Sequence, residues 1–565
     1  MNMTLPKVAY FSMEMAIDQS LSIYSGGLGF LAGSHMLSAG YLGLPMVGVT
    51  MLWTYGYYDQ RIDNSGNVEI GYARKHYDFL TDTGIMVDVT VFGQNVKVKA
   101  FKLEPELFGT CPIYLLSTDI PENSEEMRKI THKLYDSDER IRISQEIILG
   151  IAGVRVLKAA GCNFDVIHMN EGHALPAAFE LLKIYDGNIN KVRQKTVFTT
   201  HTPVAAGNEV HWVDLLLEAG FFSGISRERA VELGGENFSL TVAALRLSRI
   251  ANAVSQLHGI VANKMWEWVE GRCPIKAITN AVNLHYWQDE RIKNAKNSQE
   301  LLNAKLDMKK DLFKYIASQT GKRFDPNVLT ITWARRFADY KRAWLILMDR
   351  ERIEKLLNEN KIQIIFAGKF HPDDTMGREM FNNILHQSYD LKNVVVLPNY
   401  ELELSAMLKK GSDVWLNTPL RPFEASGTSG MSANMNGAIH LSIYDGWTVE
   451  GTFTNINGYT VNYPGLDDDI PWEERHWKDY ECIMNILENE IIPNYYENKD
   501  RWAYLSRQAV RTAEGYFNSD RMVIEYYNAI YKPIAHGKSN DIQELDEADT
   551  SENTNMDNWT YSNIK

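Results

Sequence analysis

Cysteine is scarce in this 565-residue chain: Cys111, Cys162, Cys273 and Cys482 lie far apart, with no Cys-x-x-Cys pair. That excludes a disulfide framework and a thiolate zinc site, and reduced, buried thiols are expected. No run of about 18 apolar residues occurs, so no helix is expected to span a membrane. The segment Met1 to Phe11 lacks the charged start, apolar middle and small-residue cleavage site of a secretory signal, so a cytoplasmic location is expected. Positive charge is also short. The 58 Lys and Arg stand against 72 Asp and Glu, a formal net charge of −14. Such a surface repels nucleic acid and anionic lipid, although a local basic cleft can still hold a phosphate. Internal repeats are absent.

What is present is the balance of a globular protein, 45% apolar and 23% charged, in a chain too long for one hydrophobic core. The aromatic residues, 11% of the chain, are expected mostly to fill the core. Short β-branched runs alternate with amphipathic stretches such as Ile143 to Ala159. Val8 to Phe11, Val166 to Met169, Thr196 to Thr200, Val328 to Trp333, Ile362 to Ala367, Val394 to Leu397 and Asp413 to Leu416 read as buried parallel strands. The alternation predicts an α/β fold with sheets covered on both faces, and ligands at the carboxyl ends of strands. Residues from about 53 to 120 alternate instead like antiparallel strands, a β-excursion from the first domain. A domain break is placed near Thr279 to Trp287. The polar stretch 537–565 reads as a disordered tail.

Three segments carry chemistry. In Tyr24-Ser-Gly-Gly-Leu-Gly29 the glycines Gly26 and Gly27 precede a helical run, where backbone N–H groups can approach an anion; a tight turn explains them equally well. In Arg335-Arg-Phe-Ala-Asp-Tyr-Lys-Arg342, Arg336 and Lys341 can converge on one phosphate, the arginine as a fork and the lysine as a point charge. In Asn417 to Gly437 small residues and hydroxyls, among them Thr428, Ser429, Gly430, Met431 and Ser432, precede a helix. Glu424 stands just ahead of them, where a carboxylate can accept bonds from sugar hydroxyls; a helix cap also accounts for Ser426 or Thr428.

Together with His168-Met-Asn-Glu-Gly-His173 and Phe198-Thr-Thr-His-Thr-Pro203, these motifs resemble the α-glucan phosphorylases, glycogen and maltodextrin phosphorylase in their short prokaryotic form, from about Val8 to Tyr531. The resemblance implies a GT-B fold, two Rossmann-like domains facing across a cleft. It divides the chain into an acceptor-side domain over 1–285, a donor and phosphate domain over 286–510, and a helix over 511–536 packing back on the first. It implies retaining transfer of an α-glucosyl unit, and a possible homodimer. Residue by residue it implies that Gly26 and Gly27 face the phosphate side of the sugar and that the His201 carbonyl faces the reacting centre. Glu424 and Asn280 would bind sugar hydroxyls, with Glu171 and His173 beside that pocket. Arg336 would grip substrate phosphate, and Arg335 and Lys341 the phosphate of pyridoxal phosphate.

The pattern breaks at the cofactor. The family's lysine, eight residues beyond the glutamate, is Ser432 here, and serine forms no imine. No neighbouring lysine is expected to replace it: Lys409 and Lys410 precede the strand at Asp413, and Lys369 and Lys341 belong to other loops. Ser34, Leu37, Ala281 and Thr418-Pro-Leu-Arg-Pro422 depart from the family as well. No cofactor is therefore expected, and the first reading is a retaining transferase using a nucleotide-diphosphate sugar and an unknown acceptor. In it Ser432 bonds the ribose, and Arg335, Arg336, Lys341 and the helix start after Gly430 hold the diphosphate. The catalytic set is then His201, Arg336, Lys341 and Glu424, with no metal. The alternatives are an α-glucan phosphorylase with weakly bound cofactor, and a non-catalytic glucan or sugar-phosphate binding protein.

Overall fold

The computed structural model describes residues 5–467 and 469–532; the tail expected over 537–565 lies outside them. Seven strands of the first half pair in parallel, in the spatial order Ile275–Ala277, Ile250–Ala253, Thr196–Thr199, Val166–Asn170, Val8–Phe11, Met46–Met51, Ile113–Ser117. Gln94–Leu103 and Thr81–Val91 then extend this sheet antiparallel. The supposed excursion is thus divided. Ile113–Ser117, buried at every position, is a parallel core strand, because both its faces are covered. Asp59–Ile62 and Val68–Gly71 form a separate hairpin.

The second half carries six parallel strands, with Leu329–Ala334 and Val414–Asn417 side by side at the centre and later strands added outward on each edge. In both sheets the direction of winding reverses between two neighbours: Val8–Phe11 and Val166–Asn170 in the first, Leu329–Ala334 and Val414–Asn417 in the second. Loops leaving neighbouring strands at such a reversal diverge and open a crevice at the carboxyl ends. Glu171, His201, Arg335 and Arg336 all come directly after strands at or next to these two points.

Helix ends obey local chemistry. Ser298–Thr320, which comes after the linker between the sheets, starts at Asn297, whose side chain accepts from the Glu300 N–H, and stops at Gly321 in the left-handed region. Helices Lys499–Gly515 and Ser519–Tyr526 return to the first sheet. There the Val282 N–H donates to the Phe517 carbonyl (3.0 Å), and Arg249 donates to the Tyr531 carbonyl (2.7 Å). Trp53, Trp333, Trp415 and Trp447 are fully buried, in line with core filling. The indole N–H groups of Trp333 and Trp415 reach the hydroxyls of Thr418 and Ser429. The four cysteines are free, and among the described residues no helix is long and apolar enough to cross a membrane.

Candidate active site in the cleft

The glycine loop is organised by an acid that the sequence motifs do not include. Glu14, just past the first strand and buried, accepts from the N–H groups of Ser25 and Gly26 and from the Tyr135 hydroxyl. A Cβ on Gly29 would lie 2.6 Å from a Glu14 oxygen, so that glycine lets the helix approach the carboxylate. Gly26 and Gly27 instead have open space beside them. One N–H of the expected anion site is therefore already committed to a protein carboxylate.

Across the same strand ends, Glu171 sits at φ 73°, a strained position for a non-glycine residue. Three donors hold it there: the N–H groups of His201 and Gly172 and the Thr202 hydroxyl. Burial raises its pKa, with those donors opposing. The His201 ring meets the Asn170 side-chain oxygen at 2.7 Å, and burial drops its pKa to about 3. It is neutral at pH 7 and acts as a fixed hydrogen-bonding ring. His173, two residues beyond Glu171, points to Glu209, 4.0 Å away. Asn280 is buried with its side-chain oxygen unpaired. Its N–H bonds Val254, and the next residue, Ser255, donates to the Ala425 carbonyl (2.6 Å), so Asn280 and Glu424 come to the same edge of the cleft.

From the second sheet, Glu424 joins Arg335 (2.6 Å) and Lys341 in one mostly buried ion cluster. Burial alone would raise the Glu424 pKa; the two cations outweigh it and hold it at about 2. The Arg335 Nη1 remains buried without a partner. Gly368 lets this loop close up, since a Cβ there would strike the Arg335 carbonyl at 1.8 Å. A second acid outside the motifs lies beside it: Asp445 accepts from the Glu424 N–H (2.9 Å), and burial lifts its pKa to about 7. Arg336 differs from its neighbours. It is exposed, forms no ion pair among the described residues, and faces Tyr57 of the first half closely enough to oppose the burial that raises that phenol.

The segment after Glu424 departs from expectation. Its helix, Ser429–Asn434, starts before Gly430, so Gly430, Met431 and Ser432 lie inside it. Gly430 packs on the His440 ring, and the Ser429 hydroxyl accepts from Trp415. Thr428 makes no side-chain cap. Ser432 is fully buried, and its hydroxyl donates back to the Ser429 carbonyl (3.1 Å). The Ser432 hydroxyl is thus engaged by its own helix. An imine to pyridoxal phosphate does not fit at this position, which offers no amine.

Lys409, set aside in the sequence because it precedes another strand, is in fact beside this helix. Its ammonium lies 3.5 Å from the centre of the Trp287 ring and 5.2 Å from that of Phe30. Asn436 ties the Trp287 and Ser432 carbonyls together. Burial depresses the Lys409 pKa strongly. A lysine that holds its proton less tightly in the fold than when unfolded makes stability rise with pH, up to the unfolded value of about 10.4. Lys409→Met is expected to melt above the parent at pH 7, with the gap narrowing toward pH 10. Equal melting temperatures at pH 7, measured by differential scanning calorimetry, would contradict a depressed Lys409 pKa.

Residues 260–456 match the family model described as carbohydrate phosphorylase. The chain is 46% identical to an uncharacterized protein of Methanocaldococcus jannaschii, covering 93% of this chain and 99% of that one. It is 36% identical to a maltodextrin phosphorylase of Thermococcus litoralis, covering 93% of this chain and 70% of the relative. With a glycogen phosphorylase of Aquifex aeolicus it shares 32% identity over 93% of this chain and 86% of the relative.

Proposed function

This chain belongs to the carbohydrate phosphorylase family, and we propose that it transfers an α-glucosyl unit between an α-glucan and inorganic phosphate. The observation that carries the proposal is Arg336, an exposed guanidinium at a strand end with no ion pair among the described residues, beside Tyr57 of the first half. Phosphate binds there through two parallel N–H bonds. The glycosidic bond from C1 to the chain-end oxygen breaks, a bond from C1 to a phosphate oxygen forms on the same face, and the proton of the hydrogen phosphate passes to the departing oxygen, giving glucose 1-phosphate and a glucan shorter by one sugar. The His201 carbonyl and the Glu171 side stabilise positive charge at C1. Glu424 accepts from sugar hydroxyls, and burial, which lifts the Asp445 pKa to about 7, lessens the negative charge beside it.

The phosphorylase reading replaces the nucleotide-sugar reading for two reasons. The Ser432 hydroxyl is spent on a helix carbonyl, and the relatives of known activity are named for phosphorolysis. Work without a cofactor imine remains part of the proposal.

The test supplies maltoheptaose with inorganic phosphate, with and without added pyridoxal phosphate, in parallel with the glucose esters of UDP, ADP, GDP and dTDP. Glucose 1-phosphate is the expected product. Turnover of a nucleotide sugar without phosphorolysis, or glucan binding without any turnover, overturns the proposal. Ser432→Ala is expected to leave the rate unchanged, whereas losing a ribose contact costs about 1 kcal/mol, roughly fivefold.

A further inference from the structure

Behind the acceptor side of the cleft lies a group of ligand atoms the transfer reaction does not use. Glu146, on helix Glu139–Ile147, is 0% exposed, and neither of its carboxylate oxygens has a hydrogen-bond partner. Beside it stands Glu209, just ahead of the strand Val210–Trp212. His173 completes the group; its Nδ1 is buried and unpartnered, while its Nε2 is 4.0 Å from Glu209. One ligand atom from each of the three residues lies within 4.8 Å of the others.

Two adjacent carboxylates shielded from water repel each other unless a positive charge stands between them. A single shared proton would satisfy that pair but gives no role to the His173 ring, whose Nε2 lies 4.0 Å from Glu209. A cation neutralises both carboxylates and takes the imidazole as a third ligand. Glu209 is in addition steadied from behind, as metal-bound carboxylates commonly are. His211 donates to Glu209 at 3.1 Å and reaches Glu139 (2.7 Å) with its other nitrogen, and Arg142 lies 2.5 Å from the same Glu209 oxygen.

We infer that Glu146, His173 and Glu209 bind one divalent transition-metal cation. The donor set of two carboxylates and one imidazole suits Mn²⁺ or Zn²⁺ better than Mg²⁺. Metal–ligand distances of about 2.0–2.2 Å bring ligand atoms to about 3–4 Å from one another, so the three side chains, now within 4.8 Å, draw together on binding. The ion joins three segments distant in sequence: helix Glu139–Ile147, the turn at Glu171 to His173, and the segment entering Val210. That turn carries the strained Glu171, which holds the His201 N–H. The metal therefore acts as a staple that fixes the acceptor side of the cleft, and His173 serves it as a ligand.

The experiment strips the full chain with a chelator and dialyses it against Mn²⁺ or Zn²⁺. Metal content is then read by mass spectrometry and stability by thermal unfolding. One equivalent per chain and a metal-dependent rise in melting temperature are expected, since a ligand binding only the folded state stabilises it. Glu146→Gln should abolish both. Its amide can still donate to Glu209, so it preserves the proton-shared arrangement while removing a ligand. Should that variant not fold, His173→Gln gives the same readout. Absence of stoichiometric metal in the parent chain, or full metal retention in Glu146→Gln or His173→Gln, overturns the inference.

Discussion

Glu424→Gln is expected to lower stability by about 3–5 kcal/mol, because it leaves two buried cations without their shared counter-ion. Arg335 and Lys341 both contact the same Glu424 oxygen, and the three side chains are at most 10% exposed. The charged Glu424 is also the source of an acid limb. Its folded pKa, about 2, lies below the unfolded value of about 4.3. Its contribution is thus present in full above about pH 5 and is lost as pH falls toward 2. The glutamine variant should lack that limb in a denaturation series run from pH 6 to 3.

The same cluster separates stability from function. Replacing all three members at once, as Arg335→Met, Lys341→Met and Glu424→Leu, removes every buried charge together. Such a triple change can be neutral or stabilising even where each single removal is costly. The triple variant is therefore expected to melt near the parent and well above Glu424→Gln, with no transfer activity. If Glu424→Gln alone melts like the parent, the cluster is wet and its pairing contributes little.

The strands and the residues just past their ends are readable in the sequence because both signals are local. A buried β-branched run such as Ile362 to Ala367 declares itself within six residues, and the chemistry-bearing residue stands directly after it. Glu171, His201, Arg335 and Arg336 all stand just past such strand ends, although the roles expected of Glu171 and His201 come from the family resemblance and not from the strand pattern. Ile113–Ser117 is misjudged because it lies inside an otherwise antiparallel stretch, and only its partner Met46–Met51 fixes its direction. Glu14 also comes just past a strand, so that rule could have flagged it; its role depends on a loop eleven residues later. Asp445 and Lys409 carry no such flag. The first matters through a bond to a backbone N–H 21 residues away, and the second through the rings of Trp287 and Phe30. Ser432 is the hardest. Its spacing from Glu424 is correct for a ligand contact, but a serine inside a short helix can bond its own preceding carbonyls, and spacing does not report side-chain direction.

Arg336→Ala is expected to reduce phosphorolysis by about a hundredfold to a thousandfold, the usual effect of removing one preorganised charge from a reacting phosphate. Melting temperature should not change, because the side chain is exposed and carries no ion pair among the described residues. That combination distinguishes Arg336 from Arg335, whose loss would also disturb Glu424. Arg336→Lys should rescue only a small part of the rate. A lysine restores the charge but not the planar fork that grips two phosphate oxygens together. The loss should appear in kcat over KM for phosphate and in the reverse reaction with glucose 1-phosphate, while affinity for the glucan, measured without phosphate, stays at the parent value. Unchanged phosphorolysis in Arg336→Ala would move the phosphate to the buried pair, Arg335 and Lys341. Glu424 would then have to release them each time phosphate entered, and rate and stability would respond together to every change in that cluster.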